Sequence, residues 1–372
     1  MSTHTSSTQG LPFSPLRGSP LSASPKGQLN SSKYPYRVFI GLARRWRASV
    51  EQSPRYLSAI LGAIPFLALV AIVIILFHEA FPAIKVNGGG FVTHSKWSVG
   101  NEYANPIKRD GVATPVGATY GAWPLILGTL EASALALVIA VPVSLLSALI
   151  VVEKLSARAS RWVGVFLEIL VGIPSVIYGL WGALTLGPFL AHHLAPIANH
   201  IPNVPILRFF RGPTYNGEGL LTAGVVLGIM IIPIIASTAR DLIRQVPASL
   251  KDGGRAIGMT DFEVSRKVIW PWIKSGIVGA TFLGLGRALG ETMAVLMTCG
   301  AVLGTTAHSI FSNMNTIAAT IVSQLDSAQT DGTGFAVRSL AELGCILIVI
   351  TLICNIGAKL LLSRATHDTT TT

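Results

Sequence analysis

VPASLKDGGRAIGMTDFEVSRKVIWPWIKSGIVGATFLGLGRALGE, residues Val246–Glu291, changes character near its middle. The first half is basic and amphipathic and is punctuated by glycine and proline. The second half is an apolar run that carries one arginine, Arg287, and four residues later one glutamate, Glu291. A surface segment leading straight into a membrane helix with embedded charge is the simplest reading of that change.

The remaining sequence agrees. Of 372 residues only 12% are charged and 51% are hydrophobic, and the mean hydropathy is +0.59. Such a chain has too little polar surface to cover a soluble globule, which points to an all-α integral membrane protein. The formal charge of +11 does not gather in one patch, as nucleic-acid binding would require, but flanks apolar runs. Six runs are long enough to cross a hydrocarbon core of about 30 Å: Leu57–Phe77, Leu125–Val152, Trp162–Leu186, Leu220–Ala239, Gly276–Leu303 and Leu340–Leu362. Arg44, Arg45, Arg47 and Arg55 precede the first run, and Lys154, Arg158 and Arg161 follow the second. The stretch Arg240–Lys274 is also rich in basic residues, whereas Gly187–Gly219 and Gly304–Ser339 are poor in them. The positive-inside bias therefore puts both termini in the cytoplasm.

Residues 1–56, rich in Ser, Thr, Pro and Gly before turning basic, read as a mostly disordered cytoplasmic tail. Residues 78–124, with Gly88-Gly89-Gly90 and several prolines, read as an external loop with a little strand, and 365–372 as a short C-terminal tail. Pro188–Asn199 and Asn313–Leu325 have the apolar content of short surface or re-entrant helices. Cys299, Cys345 and Cys354 lie in apolar runs without CxxC spacing, so they read as buried thiols. His192, His193 and His200, beside Pro and Asn, read as a solvated or interfacial turn, and no metal site is expected.

Within the opening stretch, Pro247 suits the first turn of a helix, where its missing N–H costs nothing. Gly258 then suits the left-handed position that ends the helix. Thr260-Asp261-Phe262-Glu263 has capping-box spacing, so a second helix is expected, stopping near Pro271. The first helix contains Gly253-Gly254, at a cost of about 1 kcal/mol each relative to Ala. Close approach of another surface would offset that cost. Docking of a partner and a solvated loop that only sets topology both stay open here.

Arg287 and Glu291 share a face if one helix runs through both. A charge within a span costs about 2.5–3.5 kcal/mol even on insertion scales, so it faces a bundle interior or an aqueous cavity. The pair is either a structural ion bridge or the lining of an anion path, with arginine supplying a planar donor fork that matches an oxyanion. Glu131 lies near the external end of its span, and Glu168, deeper, could pair with Arg287 across helices. Gly172-Ile173-Pro174-Ser175 should kink its helix, exposing backbone and Ser175 to a path or merely adjusting packing.

These segments resemble known ones. Asp252-Gly253-Gly254, three residues, Gly258, nine residues and Val268-Ile269-Trp270-Pro271 resemble the E-A-A loop of binding-protein-dependent ABC importer permeases. The glycine and the proline match in spacing, while D-G-G for E-A-A and V-x-W-P for I-x-L-P depart from it. GIPSVIYGLWG (Gly172–Gly182) and GLGRALGETMAVLMTCG (Gly284–Gly300) are similar to the phosphate-specific (Pst) permeases, with the C-type (PstC) fitting better than the A-type (PstA). The resemblance implies a type I (MetI-like) transmembrane domain over 125–364, preceded by a first helix at 57–77. Its coupling loop, 246–272, would meet an ATPase through Asp252, Gly253, Gly254, Gly258 and Pro271. It further implies a multi-pass protein of the cytoplasmic (inner) membrane, working with a homologous PstA-type permease, an ATPase dimer and an external phosphate-binding protein. Phosphate would pass Arg287 and Glu291, with Glu168 and Ser175 on the same path. No G-x-x-x-x-G-K-[ST] segment occurs, so this chain should bind no cofactor, ATP and Mg²⁺ being used by the ATPase. A permease for molybdate or sulfate, and a proton-coupled carrier using Glu131, Glu168 and Glu291, remain alternatives.

Overall fold

A computed structural model describes residues 36–367, except Glu102, Asn203, Pro205, Ile206, Pro213 and Tyr215. Residues 1–35 and 368–372, and with them most of the expected tails, lie outside the described residues. The chain divides into two compact units, Met1–Ala68 and Leu69–Thr372. In the first unit, the described residues are the N-terminal part of helix α1 (Tyr36–Asn87). The expected tail is thus helical from Tyr36 onward. Leu42-Ala43-Arg44-Arg45 and Arg47-Ala48 are strong helix formers, and that local preference outweighs the low apolar content.

In the second unit α1 ends at Asn87, ten residues beyond the expected Phe77. Ala80 and Ala83 there are fully buried, so packing rather than hydropathy sets the end. The segment up to α2 holds a short antiparallel ribbon, β1 (Ile107–Arg109) and β2 (Val112–Thr114). Then come α2 (Trp123–Glu153), α3 (Ala157–Gly172) and α4 (Ser175–Asn199), followed by α5 (Leu220–Gln245) and α6 (Ala248–Ala256). The chain continues with α7 (Asp261–Gly290), α8 (Met293–Leu296), α9 (Ile317–Thr330) and α10 (Phe335–His367). Among the described residues five helices are long and apolar enough to cross a membrane, and the α3–α4 pair makes a sixth, bent by 88°.

The central pairing is α2 against α5. Ala132, Ala136, Ala140, Ser144 and Ala148 recur every fourth residue on α2, and all are buried. Small side chains at that spacing let backbones approach where lipid offers no hydrophobic drive. Gly224 of α5 lies over Leu135, and the Ser144 hydroxyl donates to the Ile232 carbonyl at 3.1 Å. Thr129 ties α2 to the start of α9, its hydroxyl accepting from the Ile317 N–H at 3.0 Å.

Two of the six expected spans are broken, and three run on past their expected ends, α1 to Asn87, α5 to Gln245 and α10 to His367. Trp162–Leu186 is not one rod: it breaks at Ile173-Pro174, where proline cannot continue the helical ladder. Gly276–Leu303 is helical only to Gly290; Glu291 is extended (φ −71°, ψ 128°), and the chain re-forms a single short helix, α8, before turning irregular. The last span runs on past the expected Leu362 to His367. The helix expected to stop near Pro271 instead passes through it and merges with the span. The reason is common to three sites. π-helical turns at Gly182–Leu186, Leu190–Leu194 and Ser265–Ile269 each end two residues before a proline, Pro188, Pro196 and Pro271. The wider turn makes room for a ring that has no N–H to donate and would crowd the preceding turn.

Past the two breaks, α4 packs against the segment that follows α7. A Cβ on Gly179 would lie 2.9 Å from the Ala294 Cα, and one on Gly182 would lie 2.8 Å from the Thr298 Cγ2. The two motifs singled out in the sequence therefore pack closely, Gly179 against backbone and Gly182 against the side chains of Thr298 and of Val226 on α5. G179V should cost about 1–3 kcal/mol by overpacking, seen as a lowered thermal midpoint of the purified protein. G172A, which meets open space, should leave the midpoint unchanged. Equal melts for the two variants would contradict the close approach.

Candidate functional site

Arg287 stands in the last turn of α7, where the unpaired helix carbonyls present negative partial charge. Among the described residues no carboxylate forms an ion pair with it, and its Nε is buried without a hydrogen-bond partner. The helix terminus thus supports the cation without occupying its donor fork. Arg287 opens on a cavity of about 730 Å³ shared with Gly279, Phe282, Leu283 and Gly286 of α7, Val171 of α3, Ile234 of α5, and Asn355 and Lys359 of α10. The walls are apolar apart from Arg287, Asn355 and Lys359, so an anion entering would meet two cations and one amide.

The other expected pathway residues lie elsewhere. Glu291 is not on a helix face with Arg287, because α7 stops at Gly290; its Oε1 instead accepts from the Ala294 N–H at 3.4 Å, at the start of α8. Glu168 does not reach Arg287 but pairs at 3.8 Å with Arg240 of α5, which packs against α3. Ser175 opens α4 half-buried, outside the cavity lining. Glu131 is half-buried, its Oε2 lacks a hydrogen-bond partner, and His308 is within electrostatic range. The Tyr178 hydroxyl donates across the α3–α4 break to the Leu170 carbonyl at 3.1 Å, and Tyr178 is within electrostatic range of Arg287.

Three groups escaped the sequence reading. Lys359 stands in the last apolar run, where a cation needs an aqueous neighbour, and that signal was available. Arg240 looked like one more loop cation, yet its side chain is only 9% exposed. Glu342, also in the last run, is buried and accepts from the Asn87 side chain at 2.8 Å. Of the thiols, Cys299 is buried and Cys345 and Cys354 are half-buried. His193 and His200 are held locally, each ring contacting the carbonyl four residues back.

The hairpin of α6 and α7 forms as its caps require. Gly258 has φ +87°, a left-handed value that favours glycine, and the Thr260–Glu263 capping box is complete. Gly254 lies against Val264 and Val268, closing the hairpin, whereas Gly253 faces open space. Salt bridges clamp the hairpin to the α2–α3 connection. Lys251 Nζ meets Glu153 at 2.7 Å, Arg255 meets Glu153 at 3.4 Å and Asp261 at 3.4 Å, and Lys154 meets Asp261 at 2.7 Å. The hydrogen bond to Asp261, with those to Asp252 and the charge of Glu153, raises the Arg255 pKa above its ordinary value, so it remains a fixed cation.

A half-buried arginine whose Nε is buried and unpartnered thus lines a cavity, and a clamped hairpin precedes it on the same helix. The family model for the inner membrane component of binding-protein-dependent transport systems matches residues 140–367. The chain belongs to that family. It is 56% identical over 314 residues to the phosphate transport system permease protein PstC 1 of Mycobacterium tuberculosis, covering 84% of this chain and 93% of that protein. To the phosphate transport system permease protein PstC of Haemophilus influenzae it is 37% identical over 316 residues, covering 85% and 94%. Its fold is similar to that of a chain in the crystal structure of a bacterial alginate ABC transporter, with TM-score 0.53, 16% identity and coverage of 89% and 98%. The chain is accordingly a multi-pass permease subunit, a transport component and not an enzyme.

Glu153 and Lys251 are about equally shielded, at 14% and 13% side-chain exposure, so their pair should outweigh the exposed Lys154–Asp261 pair. E153Q is expected to loosen the hairpin by about 1–3 kcal/mol and K154Q by less than about 1 kcal/mol. Hydrogen exchange of the α6 amides in the purified protein reads the difference. Faster exchange in K154Q than in E153Q would reverse the assignment.

Proposed function

We propose that this chain is the transmembrane permease subunit of an ATP-driven importer of inorganic phosphate in the cytoplasmic membrane, with both termini inside. It forms half of the translocation pathway and pairs with a homologous permease of PstA type. A separate ATPase dimer, which uses ATP and Mg²⁺, drives it, and an external phosphate-binding protein loads it. The single observation that supports this most is Arg287, a half-buried cation whose buried Nε is unpaired, supported by a helix terminus and facing a largely apolar cavity. Such a site holds an oxyanion by charge-assisted hydrogen bonds. The names of the relatives give the anion as phosphate.

Force and ion share one helix. α7 has 30 residues, about 45 Å at 1.5 Å per residue, with the hairpin at its start and Arg287 in its last turn. In this reading the hairpin is the coupling loop. Asp252, Gly253, Gly254 and Gly258 present it to the ATPase, and Pro271 lies within the helix that transmits its movement. Alternating access then links nucleotide and phosphate sites by reciprocal coupling.

Vesicles holding the complete transporter and loaded binding protein should accumulate phosphate only with ATP inside the ATPase compartment, and uptake equal with and without ATP would refute the importer. R287A should lower uptake roughly 10–100-fold, the range expected for losing a charged hydrogen-bond partner. Full uptake by R287A would make the arginine a structural residue. G258V, which forces a β-branched residue into left-handed backbone at about 1–2 kcal/mol, should weaken ATPase association and uptake together. Normal association would remove the docking role.

A further inference from the structure

Three arginines converge on an opening between α3 and α5, apart from the Arg287 cavity. Ser160, Arg161, Gly164 and Glu168 of α3 and Arg240 and Arg244 of α5 line an opening of about 400 Å³. Arg240 forms its floor. A Cβ on Gly164 would clash with the Arg240 Nη1, so only glycine lets the guanidinium lie across α3. The Asp241 carboxylate takes the Arg240 Nε at 3.3 Å, and Glu168 meets Nη2 at 3.8 Å, longer than a hydrogen bond. Arg244 and Arg161 are exposed, and the Arg244 Nη2 donates to the buried Ser160 Oγ at 2.8 Å.

Three guanidinium groups thus face two carboxylates, Asp241 beside the opening and Glu168 in its lining, and Glu168, 69% exposed, is free to turn toward water. Ser160 and Arg161 stand in the first turns of α3, where the helix end adds positive partial charge. The same helix exposes Trp162, Phe166 and Ile169. Tryptophan beside arginine is the composition of a membrane–water interface, which puts the opening at headgroup depth.

We infer that Arg161, Arg240, Arg244 and Ser160 form a binding site for a phosphate group, either the headgroup phosphate of an anionic phospholipid or free inorganic phosphate. The forked donors suit a tetrahedral oxyanion, and the half-open shape admits one still attached to a lipid. Binding would displace Glu168 from Arg240.

The test uses the complete transporter, wild type and R161Q/R244Q, both substitutions being at exposed positions. Phosphatidylglycerol retained after extraction from mixed phosphatidylcholine–phosphatidylglycerol vesicles is measured by mass spectrometry. Retention of radiolabelled inorganic phosphate is measured in phosphatidylcholine vesicles. R158Q, an arginine outside the lining, is the control. The expected result is an approximately tenfold loss of affinity, about 1.4 kcal/mol, in R161Q/R244Q for one ligand and no loss in R158Q. Loss confined to phosphatidylglycerol identifies the headgroup, and loss confined to inorganic phosphate identifies the free ion. Equal retention of both ligands by wild type and R161Q/R244Q overturns the site. Because the readout is binding, it stands whether or not the Arg287 variant transports.

Discussion

The contact of Gly179 and Gly182 with Ala294 and Thr298 is the constraint on which the rest of the site depends. Two helices end or bend within the expected spans, α3–α4 at Pro174 and α7 at Gly290, and backbone freed at such breaks has to be satisfied by protein or water. Beyond the two breaks, α4 packs at Gly179 against Ala294. Tyr178 and Glu291 complete the arrangement, the phenol reaching the Leu170 carbonyl and the carboxylate reaching the Ala294 N–H. The end of α7 is thereby fixed, and with it the position of Arg287.

That position explains how an apparently costly residue is tolerated. A carboxylate partner would stabilise Arg287 more, but it would occupy the fork and leave a neutral pair. A helix C-terminus contributes less, typically 0.3–1 kcal/mol and at most about 2, and leaves the donors free. Arg240 is the internal comparison. It is the more deeply buried of the two, and Asp241 and Glu168 stand against it. One arginine has acidic neighbours of its own, whereas the other has only a dipole and a cavity.

Features governed by neighbours in sequence were legible in advance. The Thr260 capping box, the left-handed Gly258 and the span α2 follow from local rules, and the structure reproduces them. Features governed by distant packing were not. The α7 ending depends on Glu291 capping α8, which no hydropathy window detects. The Glu168–Arg240 pair depends on α3 lying against α5, and the choice of Arg287 instead rested only on both being embedded charges. Lys359 falls between these cases. Its exceptional place in an apolar run was readable, but its sharing of a cavity with Arg287 required the fold.

A proline in a helix is ordinarily a stop signal, and reading Pro271 that way would separate the hairpin from the span. The π turn at Ser265–Ile269 carries the helix past the ring, so hairpin and span form one body. A kink at Pro271 would let the hairpin shift while Arg287 stayed still. A continuous helix, tied at its start by Lys154 and Arg255 to Asp261 and packed further along by Gly284 against Ile235, leaves no such slack. Movement imposed on the hairpin must then reach the cavity or break packing along α7.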